Sequence, residues 1–296
     1  MDISVIIVNY NTCALTKQCI DSIFEHTKDV KFEVILVDNA SVDGSVECFN
    51  QDNRITFVES GGNIGFGRAN NLGYEHATGK YIFLLNSDTK LLNNALKIFF
   101  DYMEQAPQDI ACCGTQLLNS KEERLVGNGA WGGKQTSCYD AITNPYKKLF
   151  RLILPFNQDK PVLIPNPPFE VGSIVGADMF IRRSVIEECG MFDPDFFMYG
   201  EEVEMNHRFL KAGYRLMIIG GPRIIHFIRA SSGQKISPRL LKMQFQGNSL
   251  YLKKTNSRLP YLIYRIMTPL RIPFLLSRKF TFKENMSIVK IFFSKV

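Results

Sequence analysis

The apolar run Tyr81-Ile82-Phe83-Leu84-Leu85 stops abruptly on Asn86-Ser87-Asp88. A strand that is apolar at every position is covered on both faces, as in parallel α/β sheets. Ligands gather at the carboxyl edge of such a sheet, so a carboxylate delivered there is placed for chemistry. The run Val34-Ile35-Leu36-Val37 ends in the same way, on Asp38-Asn39-Ala40-Ser41. Two acid-terminated buried strands restrict the chain to an α/β architecture with polar groups along one sheet edge.

The remaining pattern agrees. Ser4–Val8 reads as a strand. Thr12–His26 reads as a helix with Leu15, Cys19, Ile20, Ile23 and Phe24 on one face and Thr12 as its N-cap. Asp43-Gly44-Ser45 opens a further helix, Ile55–Val58 is a short strand, and Phe66–His76 a helix. A helix near Asn93–Gln105 and a strand near Ile110–Leu117 follow. Such alternation predicts right-handed crossovers and a mostly parallel, Rossmann-like sheet flanked by helices. Residues 119–170 lose this regularity and read as a long loop or small insertion. Beyond them come a strand over Val171–Arg183 interrupted by Gly176, a helix from Ser184, and a helix over Glu201–Ala212 closed by Gly213. Strands at Tyr214–Ile219 and Arg223–Phe227 precede helices from Pro238 onward.

At 296 residues, 45% hydrophobic and 22% charged, the chain has the balance of a soluble globular protein. Its net charge of +6 conceals an asymmetry: residues 205–296 hold 18 Lys/Arg and one acid, Glu284, whereas residues 1–204 hold 17 basic and 28 acidic residues. A tail this basic faces an anionic partner. Aromatic and aliphatic residues interleave with the charges over Leu259–Phe293, which favours an anionic membrane surface over nucleic acid. The expectation is of interfacial helices, with Phe274, Leu275, Phe280, Phe292 and Phe293 entering the acyl boundary. No stretch supplies the roughly 20 apolar residues of a spanning helix. Leu259–Leu276 comes nearest and is broken by Arg265, Arg271, Pro260, Pro269 and Pro273. Seven cysteines (13, 19, 48, 112, 113, 138 and 189), without a C-x-x-C pair, read as reduced core residues. With no basic leader before the first strand, they argue for a cytoplasmic protein.

Individual residues carry the chemistry. Asp88 can bridge a hard cation such as Mg²⁺ or Mn²⁺ to phosphate oxygens, which such ions accept alongside one or two carboxylates; a turn aspartate capping the next helix would look the same. Asp38 can accept from a base N–H, or simply order its turn. The loop Gly61–Gly67 opens a helix and can approach a nucleotide closely. It follows the third strand and lacks the last glycine of the dinucleotide fingerprint, which argues against a dehydrogenase. Gly200-Glu201-Glu202-Val203-Glu204 puts three acids in a first helical turn, behind the apolar Phe196-Phe197-Met198-Tyr199. Desolvation there would raise a carboxylate toward the range of a general base; complementing the helix dipole is the simpler reading. His226, after Ile224-Ile225, reads as a structural histidine or as a second ligand beside Asp88.

Several segments, in order, resemble the family 2 glycosyltransferases. They are Val5-Ile6-Ile7-Val8-Asn9-Tyr10-Asn11, Val37-Asp38-Asn39-Ala40-Ser41-Val42-Asp43-Gly44-Ser45, Asn63-x-Gly65-Phe66, Asn70-Asn71-x-Gly73 and Leu84-Leu85-Asn86-Ser87-Asp88. Further along come Val175-Gly176-Ala177-Asp178-Met179, Phe197-Met198-Tyr199-Gly200-Glu201-Glu202, and His226 followed by Ser231. The Asn-x-Gly-Phe segment is most similar to the rhamnosyltransferase-like branch. The resemblance implies a GT-A fold over residues 1–232, with a nucleotide-binding half (1–118) and an acceptor half (119–232), followed by the basic helices of 233–296. It implies inverting transfer from a nucleotide-diphosphate sugar, UDP- or dTDP-linked, to a glycan acceptor. With the basic tail, it points to a lipid-linked acceptor at the inner face of the cell membrane, as in surface polysaccharide synthesis. Carried over by position, Asp38 would read the base, Asn86 would lie near the ribose, Asp88 and His226 would hold the metal, and Glu202 would be the base with Glu201 beside it. Asn9, Tyr10, Asn39, Asn63, Gly65, Asn70, Ser87, Gly176, Ala177 and Asp178 would complete the donor site. Two departures stand out: Asn86 replaces the first acid of the family's D-x-D, and Glu201-Glu202 replaces a Glu-Asp pair. A sugar nucleotidyltransferase or an inactive nucleotide-sugar or glycan-binding module are the competing readings.

Overall fold

The computed structural model describes residues 1–125, 167–227 and 238–267, together with 281–283, 286 and 290. The chain divides into two units, one of Met1–Lys134, Asn166–Phe197 and Glu201–Gln234, the other of Gln135–Pro165, Met198–Gly200 and Lys235–Val296.

In the first unit, β1 (Ile3–Asn9), α1 (Cys13–His26), β2 (Phe32–Asp38), α2 (Ser45–Phe49), β3 (Thr56–Glu59), α3 (Phe66–Glu75) and β4 (Tyr81–Asn86) alternate as the pattern predicts. Then come β5 (Thr89–Leu91), α4 (Ala95–Gln105), β6 (Ile110–Thr115), β7 (Phe169–Val171), β8 (Asp178–Arg182) and α5 (Arg183–Cys189). The unit closes with α6 (Glu201–Lys211), β9 (Arg215–Ile219) and β10 (Ile224–His226). Eight strands form one sheet in the order β3-β2-β1-β4-β8-β6-β9-β7, while β5 and β10 pair separately. β1, β2, β3 and β4 are mutually parallel, and β8 runs antiparallel between β4 and β6.

Alternation along the buried strands divides the core. Ile3, Val5 and Ile7 of β1 and Phe83 and Leu85 of β4 join one cluster with Ile20, Ile23 and Phe99. Ile6, Ile82 and Leu84 point the other way, into a cluster with Ile35, Val37, Met205 and Phe209. Phe99 of α4 stacks on Phe180 of β8 with centroids 5.3 Å apart. On the opposite face α3 lies close to β1 and β2, because Gly73 carries no side chain: a Cβ there would stand 2.5 Å from Ile6 Cγ2 and 3.1 Å from Val37 Cγ2.

The structure departs from the sequence pattern at four points. Thr12 sits at the N-cap of α1, but its side chain makes no capping bond. The segment Val171–Arg183 is not one interrupted strand: β7 and β8 flank a loop at Gly176 and are not neighbours in the sheet. The strand β5 was not anticipated, since its three residues Thr89–Leu91 are too short to show a period. Cys19, Cys112 and Cys113 are buried, but Cys48 is exposed and Cys13 and Cys189 are only partly covered. Cys138 lies outside the described residues.

In the second unit, α7 (Pro238–Thr255) and α8 (Arg258–Met267) pack together, with Tyr251, Leu252 and Tyr264 buried. Gly247 of α7 rests directly on the backbone carbonyl of Tyr199, where any Cβ would overlap that oxygen. Phe274, Leu275, Phe280, Phe292 and Phe293, the expected lipid-facing residues, lie outside the described residues.

Replacing Gly73 by alanine tests the close approach of α3. Helix propensity alone favours alanine by about 1 kcal/mol. Overpacking against Ile6 and Val37 is expected to reverse the sign and destabilise the protein by about 1–3 kcal/mol in urea unfolding.

Candidate active site

The carboxyl ends of β1, β2 and β4 lie side by side, because Asn9 pairs with Asp38 and Val8 with Asn86 in register. At this edge the wholly buried Asn9 acts as a hub. Its Nδ2 donates to Asp38 Oδ1 at 2.7 Å and to Ser41 Oγ at 2.9 Å. Its Oδ1 accepts from the hydroxyls of Thr12 at 2.8 Å and Thr16 at 2.7 Å. The Thr12 hydroxyl also lies 3.1 Å from Ser87 Oγ. A single carboxamide therefore links the turn after β2 to the Asn86-Ser87-Asp88 turn after β4. Thr12 was read only as an N-cap, and Thr16 escaped the sequence reading. Its signal is present, since it sits one turn from Thr12 on the helix face that continues into Cys19, Ile20 and Ile23, where only apolar residues are expected.

Asp38 is 1% exposed, with Oδ2 accepting from the Ser41 N–H at 2.9 Å. Asn39 is also buried and locks the neighbouring loop: its Oδ1 accepts from the Ile64 N–H at 2.9 Å and its Nδ2 donates to Asn63 Oδ1 at 3.2 Å. Tyr10 and Val42 are 45% and 90% exposed on the same loops. The inner residues thus hold the loop shape, and the outer ones present a surface.

Asp88 and His226 come together. The antiparallel pairing of β5 with β10 sets His226 opposite Thr89, and the Phe227 N–H donates to the Asp88 carbonyl. His226 Nε2 stands 3.2 Å from Asp88 Oδ1 and 3.5 Å from Asn86 Nδ2. Both side chains are largely covered, and His226 Nδ1 is buried with no hydrogen-bond partner among the described residues. Two metal bonds of about 2.0–2.1 Å at a right angle put their donor atoms roughly 3 Å apart. The oxygen–nitrogen pair fits one divalent cation by distance, with a carboxylate that suits Mg²⁺ or Mn²⁺ and an imidazole that suits softer ions. Among the described residues no three His, Cys, Asp or Glu side chains cluster as a complete cation site, so further ligands would come from phosphate oxygens and water.

The acidic helix approaches from the loop before β8. A Cβ on Gly176 would lie 3.7 Å from Glu202 Cβ, and one on Gly67 would lie 3.7 Å from Glu201 Cβ. Adjacent to Gly176, the Ala177 carbonyl accepts from the Asn86 N–H at 3.1 Å. This contact ties the Gly176 loop, against which Glu202 packs, to the Asn86–Asp88 turn. Asn206, also buried, fixes α6 to the loop by donating to the Ile174 carbonyl at 2.8 Å. Glu201 is 3% exposed, whereas Glu202 is only partly covered. Of the apolar run before them, Phe196 is buried but Phe197 and Met198 are exposed, so it does not form one continuous apolar wall.

Gly65 takes a φ of +90° and leaves no room for a side chain beside the Phe197 carbonyl, to which the Phe66 N–H donates at 3.0 Å. Asn70 is 1% exposed and bonds the Phe66 carbonyl within α3. Its neighbour Asn71, not singled out beforehand, holds Phe192 by two bonds, donating to the carbonyl at 2.7 Å and accepting from the N–H at 3.1 Å. Asp178 is fully buried and accepts from the Thr115 N–H at 2.7 Å, so its side chain ties β8 to the end of β6 without reaching the surface. Burial pushes its carboxyl well above the ordinary value, partly opposed by the Thr115 N–H. A cavity of about 350 Å³ lined by Lys80, Tyr81, Glu104 and Arg182 lies at the opposite sheet edge, where β4 begins. Arg182 is spent there on the carbonyls of Ile110 and Met103.

A family model described as Glycosyl transferase family 2 matches residues 4–190, and the chain belongs to that family. Glycosyltransferase AglE of Haloferax volcanii is 28% identical over 220 residues, covering 72% of this chain and 63% of the relative. The low-salt glycan biosynthesis hexosyltransferase Agl10 of the same organism is 26% identical over 217 residues, covering 70% and 61%. The chain therefore spans about three fifths of the length of these curated relatives. The solved mannosyltransferase PcManGT from Pyrobaculum calidifontis, in complex with GDP-Man and Mn²⁺, superposes with a TM-score of 0.59 at 16% identity, covering 97% of this chain and 74% of that one. The fold is GT-A.

Two expected outcomes follow from the buried groups. Asn9→Ala leaves the Asp38, Ser41, Thr12 and Thr16 side chains short of a partner. At roughly 1–3 kcal/mol per unsatisfied buried group, a loss of about 2 kcal/mol or more is expected in urea unfolding. Asp178 has a folded pKa above the unfolded value of 3.8, so its neutral form contributes fully below that pH and the contribution is lost as pH rises. Asp178→Asn does not titrate, so its stability relative to the parent should rise between pH 4 and pH 7, as read from unfolding midpoints at both values.

Proposed function

We propose that the protein transfers a sugar, hexosyl or rhamnosyl, from a UDP- or dTDP-linked donor to the hydroxyl of a glycan acceptor with inversion at C1. The observation that carries this reading is the meeting of Asp88 Oδ1 and His226 Nε2 at 3.2 Å on the edge that also holds Asp38. Glu202 lies across the Gly176 loop from them. Asp38, oriented by Asn9 and Ser41, would accept from the base N–H through a remaining lone pair, with Tyr10 and Val42 as exposed neighbours. Asn39, Asn63, Gly65 and Asn70 shape the glycine-rich loop that would meet the donor, and Gly176 and Ala177 would lie beside its sugar and diphosphate.

Asp88 and His226 would hold Mg²⁺ or Mn²⁺, and the bound cation would offset charge on the leaving diphosphate. Membership of the family and the Mn²⁺ in the mannosyltransferase complex support this assignment. Asn86 supplies a neutral amide where the family pattern has an acid, so the site carries one negative charge fewer. Glu202, the less buried acid of the pair, accepts the proton of the acceptor hydroxyl. That oxygen then bonds to C1 from the face opposite the diphosphate, and the C1–phosphate oxygen bond breaks. Glu201, buried against Gly67, supports the position of its neighbour.

The acceptor is assigned as a lipid-linked glycan, as in surface polysaccharide synthesis. Support comes from the basic residues 205–296 and from the glycan-biosynthesis role in the name of the Agl10 relative. The enzyme would then work as a peripheral protein on the inner, anionic face of the cell membrane. No helix among the described residues is long and apolar enough to cross a membrane.

Glu202→Gln separates the roles. Loss of a general base costs about 10²–10⁴-fold in turnover, measured as nucleotide release from UDP- and dTDP-sugars with Mn²⁺. Donor affinity by calorimetry should stay within about twofold, because uncatalysed binding does not need the proton acceptor. Turnover close to that of the parent would remove Glu202 from the mechanism.

A further inference from the structure

The helix α8 turns an apolar stripe outward. Leu259, Leu262, Ile263 and Ile266 are 66%, 54%, 46% and 65% exposed. Their spacing of three, four and seven residues places them on one side of the helix. The opposite side is anchored within the same unit. Tyr264 is 3% exposed, and the Tyr261 hydroxyl lies 3.4 Å from Ser249 Oγ of α7. The stripe is therefore held outward by packing of the other face. Pro260, which would break a helix interior, falls in the first turn, where no intrahelical donor is lost.

The charge around the stripe identifies what covers it. Residues 238–267 contain Arg239, Lys242, Lys253, Lys254, Arg258 and Arg265 and no aspartate or glutamate. Arg239, Lys242, Lys253, Lys254 and Arg258 are exposed. A second copy packed through the same face would bring six positive charges against six more, with no acid in residues 238–267 to offset them. Nucleic acid would answer the charge but not four aliphatic side chains, since single strands are held by aromatic stacking. An anionic bilayer satisfies both, with acyl chains for the stripe and headgroups for the cations.

We propose that α8 lies in the interface of an anionic lipid bilayer, with Leu259, Leu262, Ile263 and Ile266 inserted and Lys253, Lys254 and Arg258 at headgroup level. The proposal rests on the membrane part of the function above and not on sugar transfer. It names a surface different from the phenylalanines expected from sequence.

The test uses the full chain and sedimentation with vesicles of phosphatidylcholine, with or without one third phosphatidylglycerol. The parent should partition onto the anionic vesicles and little onto the neutral ones. Leu262→Glu with Ile266→Glu should lower that partitioning at least about tenfold, with donor affinity by calorimetry unchanged as the control for folding. As a second reading, Leu262→Trp in a Trp131→Phe background should be quenched by brominated acyl chains. Undiminished binding of the double variant, or a tryptophan that is not quenched, overturns the assignment. So would a parent dimer that ignores vesicles and dissociates on the double substitution. Nucleotide-sugar turnover keeps the two readings apart: if turnover persists while vesicle binding fails, only the lipid face is wrong, and the converse result removes sugar transfer alone.

Discussion

The site depends on one buried carboxamide. Asn9 ends the central strand of the parallel block, and its two donor bonds and two acceptor bonds bind Asp38, Ser41, Thr12 and Thr16 into one network. Through Thr12 that network reaches Ser87, and so the turn that carries Asp88. Inside a low-dielectric core such a set holds its geometry tightly because every unmet bond is expensive. The loops that would receive a nucleotide are therefore shaped before any ligand arrives.

The second requirement is close approach. Gly73 lets α3 sit on β1 and β2, while Gly65 and Gly67 admit the Phe197 backbone and the Glu201 side. Asn71 and Asn206 then fasten the elements those glycines bring near. Small residues set the distance and amides set the direction. A glycine-rich loop that the sequence offered as a close approach to a nucleotide is, in this fold, a packing surface for the segment that leads into α6.

Much of this was legible beforehand, and the reasons are local. Apolar runs ending on acids identified β2 and β4 and their common edge, because strand burial and strand direction follow from pattern alone. The pairing of Asp88 with His226 was expected from family resemblance, and β5 and β10 realise it. Other expectations lacked a local signal. Asn9 and Asp178 carried a motif and were expected at the donor, yet both side chains are wholly buried in holding the scaffold. Motif membership does not reveal whether a polar group faces ligand or protein. Gly176 was read as an interruption in one strand, although β7 and β8 are separated in the sheet by β6 and β9.

Periodicity, composition and charge order thus settled the α/β class, the acidic edge and the basic tail, since each depends only on neighbours along the chain. Which polar residues turn inward, which helix face stays bare, and whether the candidate ligands Asp88 and His226 meet depend on contacts between distant segments. Packing alone decides those, because a side chain's direction is set by whatever fills the space opposite it.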